Sequence, residues 1–576
     1  MDALRSVAPQ SEAEASLTAS TPEGIRQSKQ FSVRRDWWMP FGIIALVCLV
    51  ATHNLSRGEF DYNVDEAQHA VTGLFMADVL RDAPVRHPVH YAYHYYVQYP
   101  GVAIVHWPPL FYFFEGLAFI VFGPSAIVAR LTILLFTVLL LFQWFRLVEE
   151  LQDSYTAAVS TAILGLVPMV MLFEKTVMLE IPSLALGVAA IRYWMKYLND
   201  ASKKSLYAFV FWLSAALLCK QTNVYLLTLC FLTLLVTGKW KRIFSASFLL
   251  AVGLGCLLVG PFYGLMLVTQ GRAVANDLGS HQMSGWMRLT FYLRTLPLTL
   301  TVPLLLLSLT GLLFAKRWNR SGQAVPMVCW ILAGYVTFTL FGQSESRFAI
   351  YWVPPLVYFA VGFLTQYFHH PKVRLLMRGS ALLLVGFLAI RSWAYERPYM
   401  SGYKDAASKL VNAYHSGIVL FDGKVPGNFV FYMRALDPQR QFIVLRKSLY
   451  VSDIRMNQNS EELLHSREEL LDLFRRDGIR FAVVLEDAQL QFESQRVLRE
   501  LLQSQQFRLV DSFPIVTNEP SWRGQSLRLY ENMQWTPPAD KFLKIRMMTL
   551  NEDIVVPLDQ FDFVKGNVQT TKPEEK

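Results

Sequence analysis

The sequence predicts a polytopic α-helical membrane protein, with about eleven transmembrane helices, that ends in a soluble α/β domain. Three observations carry this expectation. The chain has 576 residues, of which 53% are hydrophobic and only 17% charged, and its mean hydropathy is +0.28. That balance belongs to membrane proteins rather than to large soluble enzymes. Apolar runs long enough to cross a ~30 Å hydrocarbon core recur between residues 38 and 394, and after Trp393 the composition becomes that of an ordinary soluble domain.

The net charge of +9 does not indicate nucleic acid. Lys and Arg fall mostly in short clusters beside apolar runs, as orientation signals do, and no zinc-finger spacing or RNA-binding signature accompanies them. The five cysteines (Cys48, Cys219, Cys230, Cys256 and Cys329) all lie in or beside apolar runs and read as small core hydrophobes. None falls in the hydrophilic C-terminus, and no CxxC pair occurs.

In chain order, residues 1–36 are polar and aperiodic and are expected to form a disordered cytoplasmic tail. Basic residues from Lys29 to Arg35 precede the first span, which reads as a retained signal anchor. Expected spans lie near 38–53, 126–147, 155–173, 179–197, 205–219, 222–238, 243–269, 293–315, 324–342, 348–368 and 374–394. With the N-terminus inside, the cytoplasmic loops carry Lys203, Lys204, Lys239, Lys241, Arg242, Lys316, Arg317, Arg320, Lys372 and Arg374. The opposite loops are longer and poorer in Lys and Arg per residue, so the positive-inside rule holds at almost every step, and an odd number of spans puts the C-terminus outside. The transmembrane unit then covers 37–395.

Its external loop, 54–125, holds two interfacial helices, Asp65–Leu80 and the stretch from Trp107 to Phe122, joined by a tyrosine-rich segment. Residues 396–576 form the external α/β domain. Helices are expected at Leu463–Asp477 and Gln495–Gln505. Strands are expected at Gly417–Phe421, Phe442–Leu445, Arg480–Leu485, Phe507–Val510 and Ser526–Tyr530. No nucleotide motif or internal repeat is present.

This topology collects polar residues on the external side: Asp65 and Glu66, then Glu174, Lys175 and Glu180, then Lys220 and Gln221, then Glu345 and Arg347. The loop around 270–290 adds Arg272, Asp277, His281 and Arg288. Charges near a bilayer face a cavity or one another, so one external cavity accounts for the set. Each member alone also reads as a solvated loop or snorkelling residue. Asp65 and Glu66 alone also read as a helix N-terminus capped by Asn63.

The motifs add a resemblance. Val64-Asp65-Glu66-Ala67 is followed by Trp107-Pro108-Pro109-Leu110-Phe111-Tyr112, by Phe122-Gly123-Pro124-Ser125-Ala126 and by Arg130-Leu131. Met178-Leu179-Glu180-Ile181-Pro182, Cys219-Lys220-Gln221 and Arg347-Phe348-Ala349-Ile350-Tyr351-Trp352-Val353-Pro354-Pro355 come next. In order and spacing over roughly 38–394 these resemble the glycosyltransferase C superfamily. The branch is the one containing protein O-mannosyltransferases and the aminoarabinose transferases that modify lipid A. The resemblance implies transfer of a sugar from a polyprenyl phosphate to a lipid, glycan or protein acceptor at the outer face, with inversion.

In that chemistry Asp65 is the candidate general base, assisted by Glu66 unless Glu66 only caps its helix. Lys220 and Arg347 would stabilise the departing phosphate, and Glu180 would hold hydroxyls or orient a cation. Glu174 and Lys175 complete the expected substrate-binding set. Many relatives have Lys before the Pro-Pro-Leu, where this chain has Trp107; the preceding His106 either replaces that cation or sits at the interface.

No cofactor is required. A divalent ion at His90 and His94, spaced i, i+4, is a minor reading, because Pro88 and the tyrosines disfavour a regular helix there and an HExxH glutamate is absent. The rival function is a transporter or flippase of lipid-linked sugars, which would show inverted repeats and midplane charges. A non-catalytic scaffold is the third alternative. The expected setting is a plasma membrane, bacterial inner membrane by preference, with no nucleic-acid partner.

Overall fold

The computed structural model describes residues 38–561, apart from 62, 280–282, 320–323, 341–343, 456–457, 487–489 and 548–551. The tail 1–36 and His281 lie outside the described residues, as do the side chains of Arg272 and Asp277.

Every expected span contains helix. The chain opens with α1 (Trp38–Thr52), α2 (Val64–Asp82), α3 (Pro88–Gln98), α4 (Leu110–Phe122) and α5 (Ala126–Leu151). It continues with α6 (Ser154–Leu166), α7 (Pro168–Glu174), α8 (Glu180–Asp200), α9 (Lys203–Leu217), α10 (Tyr225–Val236), α11 (Ala246–Gly279), α12 (Gly285–Leu300) and α13 (Val302–Leu313). Then come α14 (Ala315–Trp318), α15 (Ala324–Leu340), α16 (Val353–Gln366) and α17 (Pro371–Ala394).

Among the described residues, four helices are long and apolar enough to cross a membrane, or six if two bent pairs each count as one span. The expectation of about eleven is therefore not met at that standard, since several helices are short. The stretch expected as one span at 293–315 is instead two helices meeting at 116°. Thr301, at φ +85°, turns the chain there, and Pro303 follows within the first turn of α13. At α3, Pro88 does not prevent a helix: it occupies the first turn, where its missing N–H costs no hydrogen bond.

The strands all follow α17. They are β1 (Met400–Ser401), β2 (Gly417–Asp422), β3 (Phe442–Arg446), β4 (Val451–Arg455), β5 (Gln458–Glu462) and β6 (Ile479–Leu485). The remainder are β7 (Phe507–Pro514), β8 (Val516–Thr517), β9 (Ser526–Asn532), β10 (Phe542–Met547) and β11 (Glu552–Pro557). The helices among them are α18 (Tyr403–Tyr414), α19 (Pro426–Leu436), α20 (Arg467–Arg476) and α21 (Glu493–Leu502).

The five strands expected from the sequence are the five strands of one sheet, ordered β3-β2-β6-β9-β7. β2 runs parallel to β3 and β6, while β9 is antiparallel to β6 and β7. The parallel strands β2, β3 and β6 are nearly all buried, as parallel strands covered on both faces are.

Helix α2 joins the two parts of the molecule. On one side Gly116 of α4 lets the helices close up, since a Cβ there would lie 2.9 Å from the Ala77 backbone nitrogen. On the other side Gly427 of α19 meets Ala67, where a Cβ would lie at 3.0 Å. Further along α2 the buried Asp78 accepts from Arg434 (Nη2 2.6 Å, Nε 2.9 Å) and from the Tyr95 hydroxyl at 2.8 Å, with Arg440 at 3.1 Å.

The segment before α2 is sewn to the chain leaving α17. Glu59 N–H donates to Met400 O and Met400 N–H to Phe60 O, each at 2.9 Å. The Glu59 carboxylate accepts from the N–H groups of Gly402, Tyr403 and Lys404 at the start of α18.

Asp78→Ala leaves two guanidinium groups without their buried carboxylate and is expected to cost about 3–5 kcal/mol. The check is the thermal midpoint of the detergent-solubilised chain; a midpoint equal to wild type would remove this network from the account of stability.

Candidate active site

Four of the sequence-predicted residues converge. Asp65 is the second residue of α2, and Asn63 caps the helix by accepting from the Asp65 N–H at 3.4 Å. Arg347 lies in the 3-10 segment Ser346–Trp352 before α16 and donates from Nη1 to Asp65 Oδ2 at 2.7 Å. Arg347 Nε stands 3.6 Å from Glu180 Oε1 and also pairs with Glu345. Glu180, the first residue of α8, is fully buried and accepts from Lys220 Nζ at 2.6 Å. The result is a continuous row: Asp65, Arg347, Glu180, Lys220. Asp65 and Arg347 are partly open (22% and 25%), whereas Glu180 is closed from solvent.

Buried charge of this kind needs fixed partners. Beneath the row, the Tyr351 hydroxyl meets Ser183 Oγ at 2.8 Å and Thr222 Oγ1 at 2.7 Å, and Asn223 Nδ2 donates to Ser183 Oγ at 2.8 Å. Tyr351 lies one turn beyond Arg347, Ser183 one turn beyond Glu180, and Thr222 and Asn223 just after Lys220. These braces were absent from the sequence reading, although their spacing from the charged residues was visible. The second oxygen of Glu180 has no hydrogen bond among the described residues and is an acceptor available to a hydroxyl.

Another residue missed by the sequence reading is His69, four positions after Asp65 and therefore on the same face of α2. Its Nδ1 is 2.6 Å from the Tyr112 hydroxyl, and its ring lies 4.3 Å from that of Trp107. Burial pushes the imidazole down to about 3. Glu180 opposes that shift, while Lys220, Arg347 and His106 add to it.

The Trp107-Pro108-Pro109-Leu110 stretch is docked beside Lys220. Leu110 N–H donates to Leu218 O at 2.9 Å, and Gln221 Nε2 donates to the His106 carbonyl. His106 thus enters through its backbone, with its ring against Trp107.

Glu66 is placed differently from its neighbour. It is 1% exposed, and its carboxylate accepts from Arg130 Nε at 3.3 Å, Val177 N–H at 3.0 Å and Asp61 N–H. Arg130, wholly buried, also donates to the carbonyls of Leu55 and Glu59. Glu174 and Lys175 do not join the row either. Lys175 Nζ donates to the carbonyls of His53 and Ser392 near the ends of α1 and α17, and Glu174 is buried behind it. Arg288 sits on α12. On α3, the rings of His90 and His94 lie 6.4 Å apart, and no group of three or more His, Cys, Asp or Glu suited to a metal occurs among the described residues.

Residues 106–263 match the family described as dolichyl-phosphate-mannose-protein mannosyltransferase. The fold is similar to that of ArnT from Cupriavidus metallidurans in the apo state, with a TM-score of 0.56 at 13% identity over 87% of this chain and 99% of that one. The same enzyme bound to undecaprenyl phosphate gives 0.54 at 14% identity over 85% and 99%. The arabinofuranosyltransferase AftD from Mycobacteria gives 0.54 at 13% identity, covering 88% of this chain and 41% of that longer one. No curated protein matches this chain in sequence. The resemblance to the glycosyltransferase C superfamily drawn from the motifs is thus borne out by the family match and by the fold.

Because His69 is held neutral by burial, its contribution to stability is complete above the ordinary histidine range. It is lost as pH falls from about 6.5 towards about 3, since the unfolded chain takes up the proton first. In histidine-selective NMR the His69 signal, assigned by its loss in His69→Gln, is expected to stay neutral between about pH 5 and 8. Titration near 6.5 would contradict the burial.

Proposed function

We propose that this protein transfers a sugar from a polyprenyl phosphate to a hydroxyl-bearing acceptor at the external face of the membrane, with Asp65 as general base. The acceptor oxygen attacks the anomeric carbon as the bond from that carbon to the phosphate oxygen breaks, inverting the configuration. The acceptor proton passes to Asp65, and the polyprenyl phosphate leaves with the bonding pair. Phosphate leaves readily without a carboxylic acid to protonate it; what it needs is positive charge, which Arg347 and Lys220 supply.

The observation that supports this reading best is Arg347 shared between Asp65 and Glu180. It puts the proposed base and the proposed phosphate ligand within one hydrogen bond of each other. A phosphate drawn to Arg347 and Lys220 would compete with Asp65 and Glu180 for those cations. Asp65 would then be freed to accept a proton where the leaving charge develops. The undecaprenyl phosphate bound by ArnT and the mannosyltransferase family match favour a lipid-phosphate donor carrying a hexose or pentose.

In this reading Glu66 holds the loop that carries Asp65, and Glu174 and Lys175 brace α7. Residues 396–576 lie on the acceptor's side. The chain sits as a multi-pass protein in a plasma membrane.

Asp65→Asn keeps the size and the Arg347 contact but removes the base, and is expected to lower transfer by ~10²–10⁴-fold. Mass spectrometry of lipid, glycan and protein fractions from cells with wild type, Asp65→Asn or no protein reads this directly. An unchanged product pattern in well-expressed Asp65→Asn would sink the assignment.

A further inference from the structure

A cavity of about 550 Å³ opens between α3, the turn before it and the C-terminal unit, at the opposite end of α2 from Asp65. The helical rise from Asp65 to Asp82 puts the two places roughly 25 Å apart. Sites at the junction of two units are favoured places for ligands.

The lining has a definite chemistry. Arg86, His87 and His90 stand exposed at the mouth, and Tyr95 with Gln98 makes a buried floor. Arg440 lines the cavity from the C-terminal side, held in place by Asp82 at 2.6 Å and Asp78 at 3.1 Å. His94 stacks on Phe561 with ring centroids 4.2 Å apart and closes one wall. Among the described residues, three histidines, four glutamines and two tyrosines line this one cavity, and no carboxylate does.

Gln98 and Gln441 already donate to the carbonyls of Arg440 and Gln439, but an apolar ligand would strip water from the imidazoles of His87 and His90 and the amides of Gln439 and Gln560, at a cost. Glutamine side chains match groups that both donate and accept, as sugar hydroxyls do, and tyrosine faces suit the flat apolar side of a sugar ring. Arg86, exposed at the mouth and in no ion pair among the described residues, adds a preference for negative charge, and an anion paired there gains charge-assisted hydrogen bonds.

We propose that this cavity is a binding site for an anionic saccharide, a sugar ring carrying a phosphate or a carboxylate, apart from the Asp65 row. The proposal stands whether or not Asp65 is a base, because neither its lining nor its ligand involves that residue.

The test is saturation-transfer NMR on the full chain in detergent micelles, with glucose 6-phosphate and glucuronate as probes and glucose and inorganic phosphate as controls. Saturation transfer to the ring protons of at least one acidic sugar, exceeding that to glucose, is expected. Which of the two binds identifies the anionic group. Arg86→Ala combined with His90→Ala, both exposed, is expected to weaken that binding about tenfold or more, the worth of one charge-assisted hydrogen bond. Asp65→Asn should bind as wild type does.

Several results would overturn the proposal: no transfer to either acidic sugar, or equal binding in the double variant. So would loss of binding in Asp65→Asn, which would place the ligand at the row instead. Displacement by inorganic phosphate with no transfer to ring protons would overturn the saccharide part.

Discussion

The buried pair of Glu66 and Arg130 fixes the point from which the candidate site is built. Two opposite charges out of water gain little net stability over an apolar pair, but losing either one leaves the other stranded at about 3–5 kcal/mol. The pair therefore acts chiefly as a positional constraint. Arg130 gathers the carbonyls of Leu55 and Glu59, and Glu66 gathers the N–H groups of Asp61 and Val177, so four separate stretches of chain converge on one ion pair. Adjacent helical residues point about 100° apart. With Glu66 turned inward and held, Asp65 is directed outward towards Arg347.

The row itself alternates sign: carboxylate, guanidinium, carboxylate, ammonium. In a low-dielectric setting such interleaving lets charges remain ionised without bulk water, provided their partners cannot drift. Tyr351, Ser183, Thr222 and Asn223 supply that rigidity through hydroxyl and amide bonds among the three elements that carry Arg347, Glu180 and Lys220. A site of fixed dipoles and charges needs little reorganisation when charge moves through it, which suits a reaction whose main demand is stabilising a departing phosphate.

Helix α2 carries this arrangement into the rest of the molecule. Asp65 lies at its start and Asp78 four turns on, bound to Arg434 and Arg440 of the C-terminal unit. The Glu59 carboxylate, just before α2, caps α18 of that same unit. The C-terminal unit therefore grips both ends of the segment that positions Asp65, and movement of one would be felt by the other.

The sequence alone determined the helical apolar character from residue 38 to residue 394, the five strands of the main sheet, and the membership of Asp65, Glu180, Lys220 and Arg347 in one set. Composition and periodicity are local properties, and charges beside apolar runs have few places to go. Only the tertiary structure separated Asp65 from Glu66, two neighbours with identical chemistry but opposite surroundings. It also drew Glu174 and Lys175 away from the set to face α1 and α17. It added His69, broke the chain at Thr301, and formed a regular helix from Pro88. Each of those outcomes depends on which distant backbone or side chain supplies the partner, and a partner far away in sequence leaves no local trace.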